Sequence, residues 1–122
     1  MKSLYLFILE KFKINSKTAK KWTIKNAEDG DFIKWRNIYF IYKDININHK
    51  YSDNLDDNAI IYHAVYNKRT KNIRIGQGGG VGSSMSVSNY ELLNDDEKKE
   101  FNKVLKDNGY EWDENKKELV KL

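Results

Sequence analysis

The last thirty residues, Leu93 to Leu122, constrain the fold of this chain more than any other segment. Asn94 is a favoured N-cap residue, and Glu97 follows it at the spacing of a capping box. Hydrophobic side chains then recur at the helical spacing i, i+3 and i+4, at Phe101, Val104 and Leu105. Gly109 can adopt the left-handed conformation that ends a helix, and Trp112 lies in a short extended segment beyond it. We therefore predict a capped helix, a glycine stop and a short aromatic hairpin, all packed on a β-sheet.

The segments before this helix have the residue types of short β-strands. Residues 31–35 and 38–43 are rich in β-branched and aromatic side chains, and Arg36-Asn37 separates them at the length of a tight turn. A second pair of strands is predicted at 59–66 and 72–75, joined by a polar turn. The expected fold class is α+β, with a small antiparallel, partly barrel-like sheet of five or six strands. One C-terminal helix follows the sheet, and a short β-hairpin follows the helix.

Length and composition indicate one small globular domain. The chain has 122 residues, which we divide into a basic N-terminal segment, 1–21, and a single α+β domain, 22–122. The absence of cysteine excludes a disulfide framework and favours a reducing compartment. The apolar run within Met1–Leu9 has six residues, too few for the core of a signal peptide or for a membrane span. We therefore expect a cytoplasmic protein that has no membrane partner.

Positive charge is concentrated at the N-terminus. Residues 1–25 carry seven lysines against one acid, whereas residues 91–122 carry ten acids against seven lysines. Such a basic segment with neighbouring aromatic side chains can contact nucleic acid or an acidic partner. The candidate contact residues in this segment are Lys11, Lys13, Lys17, Lys20 and Lys21. Trp35 and Arg36 form a second small group at the predicted turn.

A glycine-rich stretch at 76–82 raises the question of a phosphate site, because backbone amides of such loops can bind phosphate. The stretch lacks both the Gly-x-Gly-x-x-Gly spacing and the Gly-Lys-Ser/Thr that ends a P-loop. We predict a flexible loop between strands, with a contact loop for a ligand or partner as the alternative. The candidate contact residues in it are Gln77, Gly78, Gly79 and Gly80.

The sequence shows no recognisable catalytic or metal-binding pattern. His49 and His63 are the only histidines, and neither has the spacing of a zinc site. The serines that follow the glycine-rich stretch do not form a Gly-x-Ser-x-Gly elbow. We therefore predict no catalytic residue, no cofactor and no metal, and we expect a protein that is not an enzyme.

Two motifs lie at the ends of the predicted domain. The first has Trp-Thr-Ile, then Ala, then Gly-Asp, at Trp22–Ile24, Ala27 and Gly30–Asp31. The second is made by Glu97-Lys98, Phe101, Gly109-Tyr110, Trp112-Asp113, Lys116-Lys117 and Leu119. Together they resemble the opening and the tail of small accessory proteins of bacteriophages and prophages of gut bacteria. The resemblance covers residues 22–122, while 1–21 and 76–82 depart from the family pattern. It implies a phage origin and a shared architecture, and it implies no chemistry.

These observations lead to a hypothesis about function. We expect a non-enzymatic, phage-derived binding protein that inhibits a host defence system, such as CRISPR–Cas, by occluding the surface of an effector. The partner would be a host protein or a protein–nucleic acid complex in the host cytoplasm. One alternative is a nucleic-acid-binding module that uses the basic N-terminal segment. Another is a small-molecule binder in which the loop 76–82 closes over a nucleotide signal.

Overall fold

The computed structural model describes residues 22–45, 54–55, 60–76, 85–86 and 89–122. The first element is a short 3-10 helix, Ile24–Asn26. The strands are β1 (Phe32–Trp35), β2 (Ile38–Ile45), β3 (Asn54–Leu55), β4 (Ile60–Asn67), β5 (Asn72–Ile75), β6 (Met85–Ser86), β7 (Glu91–Leu92), β8 (Tyr110–Asp113) and β9 (Glu118–Lys121). The α-helix, α1, spans Asp95–Asp107.

Five of the strands form one antiparallel sheet in the order β5-β4-β2-β1-β7. The pairs β3–β6 and β8–β9 form two separate two-stranded ladders. Within the described residues the five-stranded sheet is open, because its edge strands β5 and β7 do not pair with each other. The predicted α+β class, with one helix and a hairpin after it, is therefore confirmed.

The predicted tight hairpin is present, with Trp35 of β1 opposite Ile38 of β2. Arg36 occupies the turn with φ 53°, a left-handed conformation that few side chains adopt. The strand predicted at 59–66 is also found, as β4. The candidate residues Lys11, Lys13, Lys17, Lys20 and Lys21, and those at 77–80, lie outside the described residues.

Both faces of the sheet are buried, because side chains alternate between two hydrophobic clusters. Ile33 belongs to the first cluster, whereas its neighbour Phe32 belongs to the second. The buried members of the first cluster are Ile24, Ile33, Phe40, Tyr42, Ile60, Tyr62 and Tyr90. Those of the second are Phe32, Tyr39, Ile41, Ala64, Tyr66, Leu93, Phe101 and Leu105. The helix and the β8–β9 hairpin cover the second face.

A β-bulge in β4 places His63 without an opposite residue. Ile41 pairs with Ala64 and the adjacent Tyr42 pairs with Tyr62, so β4 has one extra residue between the two pairs. Strict alternation would put Tyr62 and Ala64 on the same face. The extra residue instead sends Tyr62 into the first cluster and Ala64 into the second.

Helix α1 begins and ends as its sequence predicts. The Asn94 side chain accepts a hydrogen bond from the Glu97 backbone N–H at 2.8 Å, and Glu97 accepts one from the Asn94 N–H at 2.8 Å. Phe101 is fully buried, and its ring centroid lies 5.6 Å from that of Phe32. Gly109 follows the helix with φ +88°. None of the helices among the described residues is long and apolar enough to cross a bilayer.

Candidate partner-binding surface

One end of the sheet carries two turns that touch each other. The Lys68 backbone N–H donates a hydrogen bond to the Asn37 carbonyl at 2.8 Å, which joins the β4–β5 turn to the β1–β2 turn. At this end, Trp35 of β1 pairs with Ile38 of β2, Ile38 pairs with Asn67 of β4, and Asn67 pairs with Asn72 of β5. Both turns therefore extend from the same end of the sheet, although they are some thirty positions apart in the chain.

The β4–β5 turn is ordered by its own hydrogen bonds. The Asn67 side-chain oxygen accepts bonds from the backbone N–H groups of Arg69, at 3.0 Å, and Thr70, at 3.2 Å. The Lys71 N–H donates to the Asn67 carbonyl at 2.8 Å, and Lys71 has φ 65°. An Asn side chain that bonds the following backbone in this way is a common means of shaping a turn. The cations of this turn are thus held on an ordered backbone.

Two lysines at this end are neutralised by acids of the helix. Lys34 Nζ lies 2.6 Å from Glu97 Oε2, and Lys68 Nζ lies 3.5 Å from Glu100 Oε1. Lys68 also donates to the Tyr39 hydroxyl at 3.0 Å and lies 4.9 Å from the centre of that ring. A cleft of about 300 Å³ lies between the turns and the helix, and it is lined by Lys34, Arg36, Tyr39, Lys68, Glu91 and Glu97.

The ion pair between Lys34 and Glu97 shifts the pKa of both groups. The hydrogen bond to Glu97 raises the pKa of Lys34 and outweighs the opposing effect of burial. Burial acts to raise the pKa of Glu97, but the hydrogen bonds from Lys34 and the Asn94 backbone and the Lys34 charge lower it below its ordinary value. Both side chains therefore remain charged at neutral pH, and their charges compensate each other.

Four further cations lie on the two turns and on strand β5. We call Arg36, Arg69, Lys71 and Arg74 the arginine corner. Across the described part of the chain, none of these four side chains forms an ion pair with a carboxylate. The Arg36 guanidinium lies 5.1 Å from the centre of the Trp35 ring, and Arg74 donates a hydrogen bond to the Tyr62 hydroxyl. Arg69 and Lys71 are exposed at the turn.

Sequence reasoning identified only part of this surface. Trp35 and Arg36 were predicted contact residues, and both lie at the sheet end. Trp35 is half-buried against the first cluster, and its indole N–H is buried without a hydrogen bond to any described residue. Arg69 and Lys71 are not among the predicted contact residues because 67–71 are predicted only as a turn, and Arg74 is not because 72–75 are predicted only as a strand. A signal was present, since residues 68–74 contain four cations and no acid.

A second polar group lies near the C-terminal hairpin. His63 Nε2 lies 2.7 Å from Asp29 Oδ1, and the imidazole packs edge-on against Trp112 with the ring centroids 4.8 Å apart. The bulge in β4 positions this imidazole, as bulges elsewhere redirect side chains. Within the described ranges, no three His, Cys, Asp or Glu side chains come together as metal ligands would. We interpret the His63–Asp29 contact as a link between β4 and the turn before β1.

Comparison with known proteins supplies no relative from which a role could be transferred. No family model, curated protein or solved structure matches the chain. The structure alone thus defines the candidate site. It consists of the two turns, the arginine corner, and the cleft in which Lys34 and Lys68 pair with acids of the helix.

Proposed function

We propose that this protein is a non-enzymatic, phage-derived binding protein that inhibits a host defence system by covering the surface of an effector. The observation that carries the proposal is the pairing of the two turns through Lys68 and Asn37. This pairing gathers exposed cations at one end of an otherwise compact sheet. An ordered charged surface favours association with a partner of opposite charge, because little ordering is required on binding.

The two motifs that carry the resemblance contact each other in the structure. A Cβ atom on Gly30, in the opening motif, would lie 3.1 Å from Trp112 Cζ2 and 2.9 Å from Lys117 Cδ in the tail motif. Residues that carry the resemblance thus pack on each other and have a structural task. The proposed phage origin rests on the resemblance of these motifs.

A challenge assay in bacteria tests the proposal directly. Host strains with defined defence systems would receive phage or targeted plasmid, with and without expression of the protein. We expect rescue of the phage or plasmid in at least one strain. Absence of rescue in every system tested would contradict the proposed inhibition.

Two charge-matched variants locate the contact surface. The corner variant carries Arg36→Gln, Arg69→Gln, Lys71→Gln and Arg74→Gln. The helix variant carries Lys98→Gln, Lys99→Gln, Lys103→Gln and Lys106→Gln, all at exposed positions of α1. Each variant removes four positive charges, so a difference between them reflects position and not net charge. We expect the corner variant to lose protection and the helix variant to keep it.

A further inference from the structure

We infer that the arginine corner binds the phosphate groups of a nucleic-acid strand. The inference deepens the proposed function, on which it rests for its biological setting. It names the partner chemistry, which is the guide or target strand of a protein–nucleic acid effector. The N-terminal lysines, where the sequence places most positive charge, are not needed for it.

The distribution of arginine is the first argument. The chain has 22 basic residues, and only Arg36, Arg69 and Arg74 are arginines. All three lie on the two adjoining hairpins, whereas the lysines are spread along the chain. A guanidinium can donate two parallel hydrogen bonds to a phosphate, which a lysine cannot do. A surface that served only solubility would not require this choice of residue.

Aromatic rings hold two of these guanidinium groups in place. Arg36 packs on Trp35 and Arg74 lies 6.0 Å from the centre of the Tyr62 ring, whose hydroxyl it also contacts. The contact with the Trp35 ring and the hydrogen bond to the Tyr62 hydroxyl restrict these side chains without neutralising their charge. The cations are thus partly positioned and remain available to an anion.

The spacing of the turns suits a nucleic-acid strand. The β1–β2 turn and the β4–β5 turn are centred two strand positions apart in the sheet order, or about 10 Å. Phosphates of one strand of a DNA duplex rise roughly 3.4 Å per nucleotide along the helix axis, so about three nucleotides of a strand with this geometry span the two turns. Arg74 lies two positions beyond Asn72 along the edge strand β5, about 7 Å further from the turns.

The surface composition favours nucleic acid over an acidic protein. Protein interfaces are centred on well-packed aromatic or apolar anchors, whereas nucleic-acid interfaces are more polar and strongly positive. Among the described residues, the exposed large hydrophobic side chains are Ile75, Leu92, Val120 and Leu122. Only Ile75 adjoins the corner, beside Arg74. The corner therefore offers charge without a central apolar anchor.

The lysines of α1 provide the contrast. Lys99, Lys103 and Lys106 line a separate cleft of about 570 Å³, whose other wall carries Glu111 and Glu114. Lys103 also pairs with Asp107 of its own helix at 3.0 Å. Carboxylates thus share the cleft with these lysines, and Lys103 is paired, which makes the helix variant a suitable control.

Fluorescence anisotropy with a labelled single-stranded DNA of roughly 15 nucleotides tests the inference on the whole 122-residue chain. Four phosphate contacts predict a slope of log K against log salt near −3, so affinity should fall roughly 50-fold between about 50 and 200 mM salt. The corner variant should bind at least about tenfold more weakly and show a much smaller slope. The helix variant should bind within about twofold of the wild type. Thermal melting of all proteins establishes that each variant is folded.

Three outcomes would overturn the inference. The first is no binding by the wild type at about 50 mM salt, and the second is an equal loss in the corner and helix variants. The third is competition by poly-glutamate as effective as that by unlabelled oligonucleotide, which would identify an acidic protein surface as the partner. A variant with Lys11, Lys13, Lys17 and Lys20 changed to Gln adds a further check. If it alone abolished binding, the site would be the N-terminal segment and the inference would be wrong.

The two proposals fail separately. Oligonucleotide binding through the corner without rescue of phage or plasmid would reject the proposed inhibition and leave the binding site standing. Rescue that survives in the corner variant, without measurable oligonucleotide binding by the wild type, would reject the nucleic-acid site alone. Rescue and binding that are lost together in the corner variant, and retained in the helix variant, would support both.

Discussion

Gly30 lies so close to Trp112 that a Cβ atom on it would be 3.1 Å from the indole carbon Cζ2. Gly30 also has φ +97°, and its N–H donates to the Tyr42 carbonyl at 2.8 Å. The turn before β1 therefore needs glycine for two reasons, the backbone angle and the approach of the hairpin. The same ring packs edge-on against Phe32, with the centroids 6.1 Å apart.

The first prediction concerns Gly30→Ala. We expect the free energy of unfolding to fall by about 2 kcal/mol, from the backbone strain and the displaced hairpin side chains. Gly109→Ala is the control, because Gly109 also has a positive φ but no atom within 4 Å of the added Cβ. It should lose about 1 kcal/mol, the cost of a left-handed backbone for alanine, as measured by urea unfolding. Equal losses would mean that the contact with Trp112 does not constrain this turn.

The second prediction concerns the helix cap. Asn94→Ala removes the acceptor for the Glu97 N–H and should destabilise the protein by about 1 kcal/mol. Asn102→Ala is the same substitution at an exposed position within α1, where alanine is the better helix former. Thermal unfolding should therefore give a lower Tm for the first variant and an unchanged or slightly higher Tm for the second. A lower Tm for both would argue against a capping role.

The third prediction is an alkaline decline in stability that depends on Tyr42. Burial, together with the charges of Asp44, Asp31 and Asp29, raises the pKa of Tyr42 from 10.0 to about 12. The unfolded chain then releases this proton at a lower pH than the folded chain does. The protonated Tyr42 hydroxyl therefore makes its full contribution to the free energy of unfolding below pH 10, and this contribution is lost as the pH rises towards 12.

Tyr42→Phe removes the titrating group while it preserves the ring. At pH 8 the variant and the wild type should differ little, whereas the wild type should lose on the order of 2 kcal/mol more by pH 12. Urea unfolding at a series of pH values from about 8 to 11 measures the onset of this divergence. Parallel curves for the two proteins would contradict the assignment.

The fourth prediction is an acid-side effect of Glu97. The pKa of Glu97 is lowered in the folded protein. The ionised carboxylate therefore stabilises the folded state above pH 4.5, the ordinary pKa, and this stabilisation is lost as the pH falls through the pKa of the folded state. Glu97→Gln keeps a side chain that is suited to the capping box but loses the charge opposite Lys34. The variant should be less stable than the wild type at pH 7, by less than about 1 kcal/mol, and the difference should shrink at acidic pH. A difference that stays constant with pH would show that the charge contributes nothing.

Local chemistry determined the elements that the sequence predicted correctly. The helix depends on Asn94, Glu97 and Gly109 and on apolar side chains three and four positions apart, so all of its signals lie within the segment itself. The β1–β2 hairpin likewise depends on two neighbouring apolar runs and the break at Arg36. Interactions over a few residues are set by backbone geometry, which is why these elements could be identified without knowledge of the rest of the chain.

The bulge at His63 could not be predicted from alternation alone. Every second residue of β4 is buried, from Ile60 to Tyr66, and this pattern suggests a strand with one buried face. The strand in fact contributes to both clusters. Ile60 and Tyr62 lie in the first cluster, whereas Ala64 and Tyr66, beyond the extra residue His63, lie in the second. Only the register against β2 reveals the exchange.

The arginine corner shows most clearly what the tertiary structure decided. Charge counted along the chain points to residues 1–25, where lysine is densest. Arg36 and Arg69 are about thirty positions apart in the chain, and their turns adjoin only because β2 pairs with β4 and the Lys68 N–H bonds the Asn37 carbonyl. The sequence by itself thus determined which residues form the helix, the hairpins and the core. The pairing of strands distant in the chain, driven by the burial of both sheet faces, decided which charges share a surface.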